Sequence, residues 1–182
     1  MHLFITGLPG VGKTTLIREL AKRLANYQPA GFYTQEIRGA QGARAGFRLV
    51  SLDGRDQVLA HVRHRSSHRV GRYGVQLAGF ERLLAELDLS HSRSRLIVID
   101  EIGKMECLSR RFTDEVATLL DSPKMVIATV ALKGGGFIRR VKEGSDCRLV
   151  TVTRENRDQL PDDLLPDVLE KLNRGPRERT RA

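Results

Sequence analysis

The chain has 182 residues with 31 basic and 22 acidic side chains, a formal net charge of +9. That length suits a single domain whose core needs no covalent staples, and two cysteines, Cys107 and Cys147, form neither a disulfide framework nor a CxxC pattern, which excludes small secreted scaffolds and favours a reducing cytoplasm. No apolar run approaches the roughly 18 residues of a membrane span, and the first residues read at once as a strand, so neither a membrane nor an exported protein is expected.

Leu3, Phe4 and Ile5 form an apolar strand that runs into Gly7-Leu8-Pro9-Gly10-Val11-Gly12-Lys13-Thr14. Glycines at 7, 10 and 12 let successive backbone N–H groups turn inward into a concave anion site. Lys13 can reach terminal phosphates, the Thr14 hydroxyl can ligate Mg²⁺, and the positive end of the helix starting near Lys13 points at the same charge. The helix is signalled by one apolar face, Leu16, Ile17, Leu20, Ala21 and Leu24, opposite Arg18, Glu19, Lys22 and Arg23. A mere glycine turn between core elements would not require the Lys-Thr pair.

Residues 31–37, 46–52 and 57–62 read as three strands joined by turn material at 38–45 and Asp53-Gly54, an antiparallel meander inserted into a nucleotide-binding core. The basic run 63–72 has no periodicity and is expected to be a loop, either a solvated one or a lid over phosphates. His64 and His68 lie four apart in it, but no helix is signalled to align them on a metal. A short strand near 73–77 and a helix over 79–87 follow, with Phe80, Leu83, Leu84 and Leu87 turned inward.

Leu96, Ile97, Val98 and Ile99 describe a strand buried on both faces, with Asp100 at its carboxyl end, where ligands sit in open α/β sheets. Asp100 is therefore expected to hold Mg²⁺ opposite Thr14. Glu101 beside it is a candidate to take a proton from, or orient, a water attacking the γ-phosphorus. Lys104 either neutralises transition-state charge, as an internal arginine finger would, or pairs with Glu106. A helix over 109–120 closes at Pro123, and a buried strand over 125–130 carries Thr129, either a γ-phosphate sensor or simply a strand residue. Residues 131–136 are flexible, 137–143 a short basic helix, 148–152 a last strand with Thr153 capping the next turn, and 162–172 a C-terminal helix containing Pro166. The tail 174–182 is expected to be disordered. Strands alternating with amphipathic helices give an α/β domain over 1–173 with a mainly parallel sheet; one strand crossing between the first strand and the Asp100 strand is plausible, but the order is not readable.

Several segments together resemble the small P-loop nucleoside-triphosphatases of thermophilic prokaryotes, known in animals as the cancer-related nucleoside-triphosphatase family. They are 7–16, Gly31-Phe32-Tyr33-Thr34-Gln35-Glu36, Gly46-Phe47 with 50–54, 69–73, the run from Ile99 to Glu106, and Val152-Thr153-Arg154-Glu155-Asn156-Arg157. The resemblance implies a three-layer, RecA-like P-loop fold and Mg²⁺-dependent hydrolysis of nucleoside triphosphates with little choice among bases. It implies nucleotide contacts from Gly7, Leu8, Pro9, Gly10, Val11, Gly12, Lys13 and Thr14, and from Leu96, Ile97, Val98, Ile99, Asp100, Glu101, Ile102 and Gly103. Cys107 stands where a larger apolar residue is expected, and the segment holding Lys133, Arg139 and Arg140 departs from the pattern.

Three rival functions remain. A GTP switch fits Asp100-x-x-Gly103, but no Asn/Thr-Lys-x-Asp follows to select guanine. A nucleotide or small-molecule kinase fits the phosphate loop, but kinases exclude the water that Glu101 is placed to use. A nucleotide-dependent nucleic-acid-binding module fits the positive charge, but the arginines are scattered and no aromatic-studded basic surface is visible, so nucleic acid is not the favoured partner. Nucleoside triphosphates are the expected partners, with a monomer as the default.

Overall fold

The computed structural model of the chain describes residues 1–174. The expected tail therefore lies, apart from Arg174, outside the described residues. In chain order the elements are β1 (His2–Gly7), α1 (Lys13–Arg23), β2 (Ala30–Arg38), β3 (Arg44–Ser51), β4 (Asp56–His61), β5 (Arg69–Val70), β6 (Tyr73–Val75), α2 (Leu77–Leu87), β7 (Leu96–Ile102), α3 (Arg110–Asp121), β8 (Met125–Val130), α4 (Phe137–Lys142), β9 (Cys147–Val152) and α5 (Leu160–Asn173). No helix among the described residues is long and apolar enough to cross a membrane.

The nine strands of the described residues join one sheet in the order β5-β6-β4-β3-β2-β7-β8-β1-β9. From β2 to β9 the neighbours run parallel, and from β2 to β5 they run antiparallel. The crossing strand between the phosphate-loop strand and the Asp100 strand is β8. Alternate residues of each buried strand face opposite sides. Leu3, Ile5, Leu96, Val98 and Ile127 pack under α1 and α5, whereas Phe4, Ile97, Ile99, Val126 and Ala128 pack under α2, α3 and α4. The result is the three-layer α/β arrangement expected.

The expected antiparallel meander is present and continues the parallel sheet. β2 pairs parallel with β7 over Ala30–Phe32 and antiparallel with β3 from Phe32 to Arg38, so one strand belongs to both halves. Gly31 makes this close approach workable: at φ +137 it pairs with Val98, and a β-carbon there would lie 1.8 Å from the Val98 carbonyl oxygen. The expected loop 63–72 also holds more order than its composition suggests. Arg69–Val70 turns at Gly71, φ +57, and pairs with Tyr73–Val75, while Arg72 donates to the Arg44 carbonyl at 2.6 Å. The segment is pinned to the start of β3.

Two boundaries move for local reasons. α5 begins at Leu160 because Pro161, in its first turn, needs no N–H partner there. β7 continues through Glu101 to Ile102 because Ile102 resumes pairing with Val130.

Candidate active site

The phosphate loop connects β1 to α1. Gly12 caps the helix in a left-handed conformation, φ 115, and its carbonyl accepts from Leu16 N at 2.9 Å. The first turn of α1 contains no acidic residue of its own. Lys13 Nζ donates to the carbonyls of Gly7 at 3.1 Å and Leu8 at 3.3 Å, which folds the ammonium across the loop. Val11 is buried in the core under α1, while Leu8, Pro9 and Gly10 form the exposed rim.

The loop meets the end of β7 directly. Thr14 Oγ1 donates to Asp100 Oδ2 at 2.7 Å. Asp100 is only 1% exposed, and a carboxyl group so enclosed needs hydrogen bonds. It has them: Thr129 Oγ1 donates to Oδ1, and Thr34 N donates to Oδ2 at 3.3 Å. The Thr34 hydroxyl also bonds the Asp100 carbonyl. Thr129 is thus engaged in orienting Asp100. Donors from α1, β2 and β8 converge on this one side chain, and Thr34 is a contributor that strand periodicity alone did not single out, although it sits in the Gly31–Glu36 segment.

Glu101 owes its direction to an irregularity. Between β7 and β8 the register advances three residues, Ile99 to Ile102, against two, Ala128 to Val130. This bulge holds Asp100 and Glu101, and bulges re-aim side chains. Burial pushes the Glu101 carboxyl above its usual range, the Lys13 charge opposes that shift, and Asp100 adds to it. Its Oε1 would lie 2.9 Å from a β-carbon on residue 103, and Glu106 Oε2 2.8 Å from the same point, so only glycine fits between the two carboxylates. Glu106 is 5% exposed, and burial, reinforced by the Glu101 charge, pushes it up to about 8. Beside it the half-buried Cys107 thiol is pushed up to about 12, chiefly by burial, which makes it an unreactive thiol.

Other candidates fall differently. Lys104 is exposed, and among the described residues it makes no ion pair with Glu106, which sits inside the protein. After Lys13, the cation whose charge acts on Glu101 is Lys142 of α4, with its Nζ on the Leu132 carbonyl at 2.8 Å. Arg139 and Arg140 are exposed, the latter stacked over Phe137. Leu96, Ile97, Val98, Ile99 and Ile102 fill the core on both faces of the sheet.

The site's oxygen donors, a hydroxyl and a carboxylate in contact at the end of a phosphate loop, suit a hard cation of the Mg²⁺ type, which takes few protein ligands. The sequence model of a family described as NTPase matches residues 2–165. The chain is 41% identical over 179 residues to a nucleoside-triphosphatase THEP1 from Thermotoga sp. (strain RQ2), covering 98% of this chain and 100% of that relative. It is 37% identical over 184 residues to the human cancer-related nucleoside-triphosphatase, covering 92% and 94%. The crystal structure of THEP1 from Aquifex aeolicus superimposes with a TM-score of 0.82 at 34% identity, over 91% of this chain and 98% of that one. With a phosphate loop closing on a strand-end aspartate and this likeness running almost end to end, the chain belongs to the NTPase family.

Proposed function

We propose that the protein hydrolyses nucleoside triphosphates to the diphosphate and inorganic phosphate with Mg²⁺, with little selection among ATP, GTP, CTP and UTP. The observation that supports this most is the Thr14–Asp100 contact at 2.7 Å, which brings the phosphate loop and the Asp100–Glu101 pair to one place. Backbone N–H groups of Gly7–Thr14 and the Lys13 ammonium hold the β- and γ-phosphates. Thr14 and Asp100 would hold Mg²⁺, which when bound neutralises charge on the phosphate oxygens. Glu101 orients a water in line with the γ-phosphorus and accepts its proton as the new P–O bond forms and the β–γ bridging bond breaks. Burial makes that carboxylate a stronger base than an exposed one, and the Lys13 charge opposes part of that rise. Two half-buried free thiols fit a cytoplasmic setting.

Phosphate release measured with each of the four triphosphates, with and without Mg²⁺ and with no acceptor added, tests the reading. Release that depends on Mg²⁺ and varies by less than about tenfold across the bases is expected. Absence of release without an acceptor would favour a transferase instead.

A further inference from the structure

β9 lies on the flank of β1 away from β8 and β7, and its last residue, Val152, pairs with Gly7 at the start of the phosphate loop. The chain then turns through Thr153–Arg157 toward α5. Asn156 fixes this turn. Its side-chain oxygen accepts from Thr153 N at 2.8 Å, its side-chain amide donates to the Thr151 carbonyl at 3.0 Å, and its backbone N–H donates to Thr153 Oγ1 at 3.3 Å. Arg157 N closes the turn on the Thr153 carbonyl at 3.2 Å.

The turn delivers the Arg157 side chain onto the phosphate loop, its Cδ 3.6 Å from where a β-carbon on Gly12 would sit. Gly12 caps the positive end of α1, and Lys13 follows it. A guanidinium beside that end is repelled by both. Asp100 and Glu101 offset charge on the β7 side of the loop, but within the Thr153–Arg157 turn little does. Arg157 Nε stands 3.5 Å from Asp158, with both side chains exposed, and such pairs contribute little. Glu155, the other carboxylate of the turn, is held below its usual range mainly by the Thr153 hydroxyl. A further cationic side chain is therefore held against the phosphate loop on the flank away from Asp100 and Glu101, an arrangement that suits a polyanion.

We propose that Arg157 binds the α-phosphate end of the nucleotide, and that the Thr153–Arg157 turn is the wall beside which the nucleoside lies. The sheet order sets the direction. Thr14, Asp100 and Glu101 stand toward β7, on the other flank of β1, so the γ-phosphate points there and the nucleoside points toward β9. Thr153 and Asn156, the neutral polar side chains of the turn, are engaged with each other and with the Thr151 carbonyl rather than set to read a base edge, so the subsite is expected to accept any of the four nucleosides.

This inference rests on the phosphate-loop reading, so it is tested by binding as well as turnover. Steady-state hydrolysis of the four triphosphates and calorimetric titration with ADP are compared for the wild type, Arg157→Ala and Arg157→Lys, with thermal melting as the check on folding. The expected result for Arg157→Ala is a KM about tenfold higher for all four substrates, a similar weakening of ADP binding, and kcat within about twofold, with Arg157→Lys recovering part of the loss. Unchanged KM and ADP affinity, a fall in kcat alone, or an effect confined to purines would each overturn it. A wild type that binds ADP but hydrolyses nothing would instead sink the hydrolase reading, and the ADP titrations would still decide the role of Arg157.

Discussion

At the scale of single residues, two neighbouring carboxylates have different work because their surroundings differ. Asp100 is held by hydroxyl and amide donors from three elements, whereas the Glu101 charge is opposed by burial and favoured by Lys13. Glu101→Gln is expected to keep nucleotide affinity and slow hydrolysis by roughly 10²–10⁴-fold, the span of a lost proton acceptor. Single-turnover phosphate release alongside a binding titration checks this, and unimpaired release would put the base elsewhere. Glu106 carries the clearest pH signature. Its carboxyl is near 4.5 when unfolded and about 8 in the fold, so between those values the native state holds a proton that the unfolded chain has released. Its stabilising contribution is complete below about pH 4.5 and is lost as pH rises toward 8, with a slope of up to about 1.4 kcal/mol per pH unit. Denaturant unfolding of the nucleotide-free protein at several pH values should show that loss in the wild type and a flatter profile in Glu106→Gln. Identical profiles would mean Glu106 is ionised in the fold. The sequence marks Asp100 and Glu101 through the apolar run before them, but it presents Glu106 as an ordinary charged loop residue, because its burial depends on α3 and β7 closing around it.

At the scale of elements, most of what shows in the sequence is periodic. The inward faces of α1, α2 and α3 are found as the spacing of their leucines, valines and phenylalanines indicates, whereas α5, expected to bury Leu165, Val168, Leu169 and Leu172, is turned so that Leu164, Val168 and Leu172 are buried and Leu165 and Leu169 only partly so. Ser109, accepting from Phe112 N at 3.1 Å, caps α3 where the helical pattern begins. What periodicity does not reveal is the bulge in β7, since an extra residue in a strand leaves no mark when its neighbours are all apolar or acidic. Nor does it reveal how tightly β2 and β7 meet. Gly31→Ala is expected to destabilise the protein by more than about 3 kcal/mol, because the β-carbon has no room against Val98 and the residue is held at positive φ. The denaturation midpoint measures it. A loss below about 1 kcal/mol would mean that β2 can slide without harm.

At the scale of the whole molecule, the parallel block and the meander share one interior. Phe32 of β2, Phe80 of α2 and Phe112 of α3 form a trio with ring centroids 6.2, 6.4 and 5.5 Å apart. α2 packs on the meander strands, and α3 follows the β7 loop that carries Glu106, so this trio links the antiparallel half to the site. Such sharing leaves no seam along which half the sheet separates. Calorimetry is expected to show a single unfolding transition, with calorimetric and van't Hoff enthalpies in agreement. Two resolved transitions would mean that the meander folds as its own unit.

The amino-acid sequence by itself determined the phosphate loop, the acidic pair at a strand end, the faces of the main helices and the alternation that makes the fold α/β, because each of these is written in residues close together along the chain. The tertiary structure alone decided which distant residues surround that pair. Thr14, Thr34 and Thr129 reach Asp100 across 86, 66 and 29 positions, and Arg157 reaches Gly12 from beyond the last strand. Those meetings follow from strand order and register, which are set by the packing of the whole sheet against its two helical layers, and no local pattern encodes them.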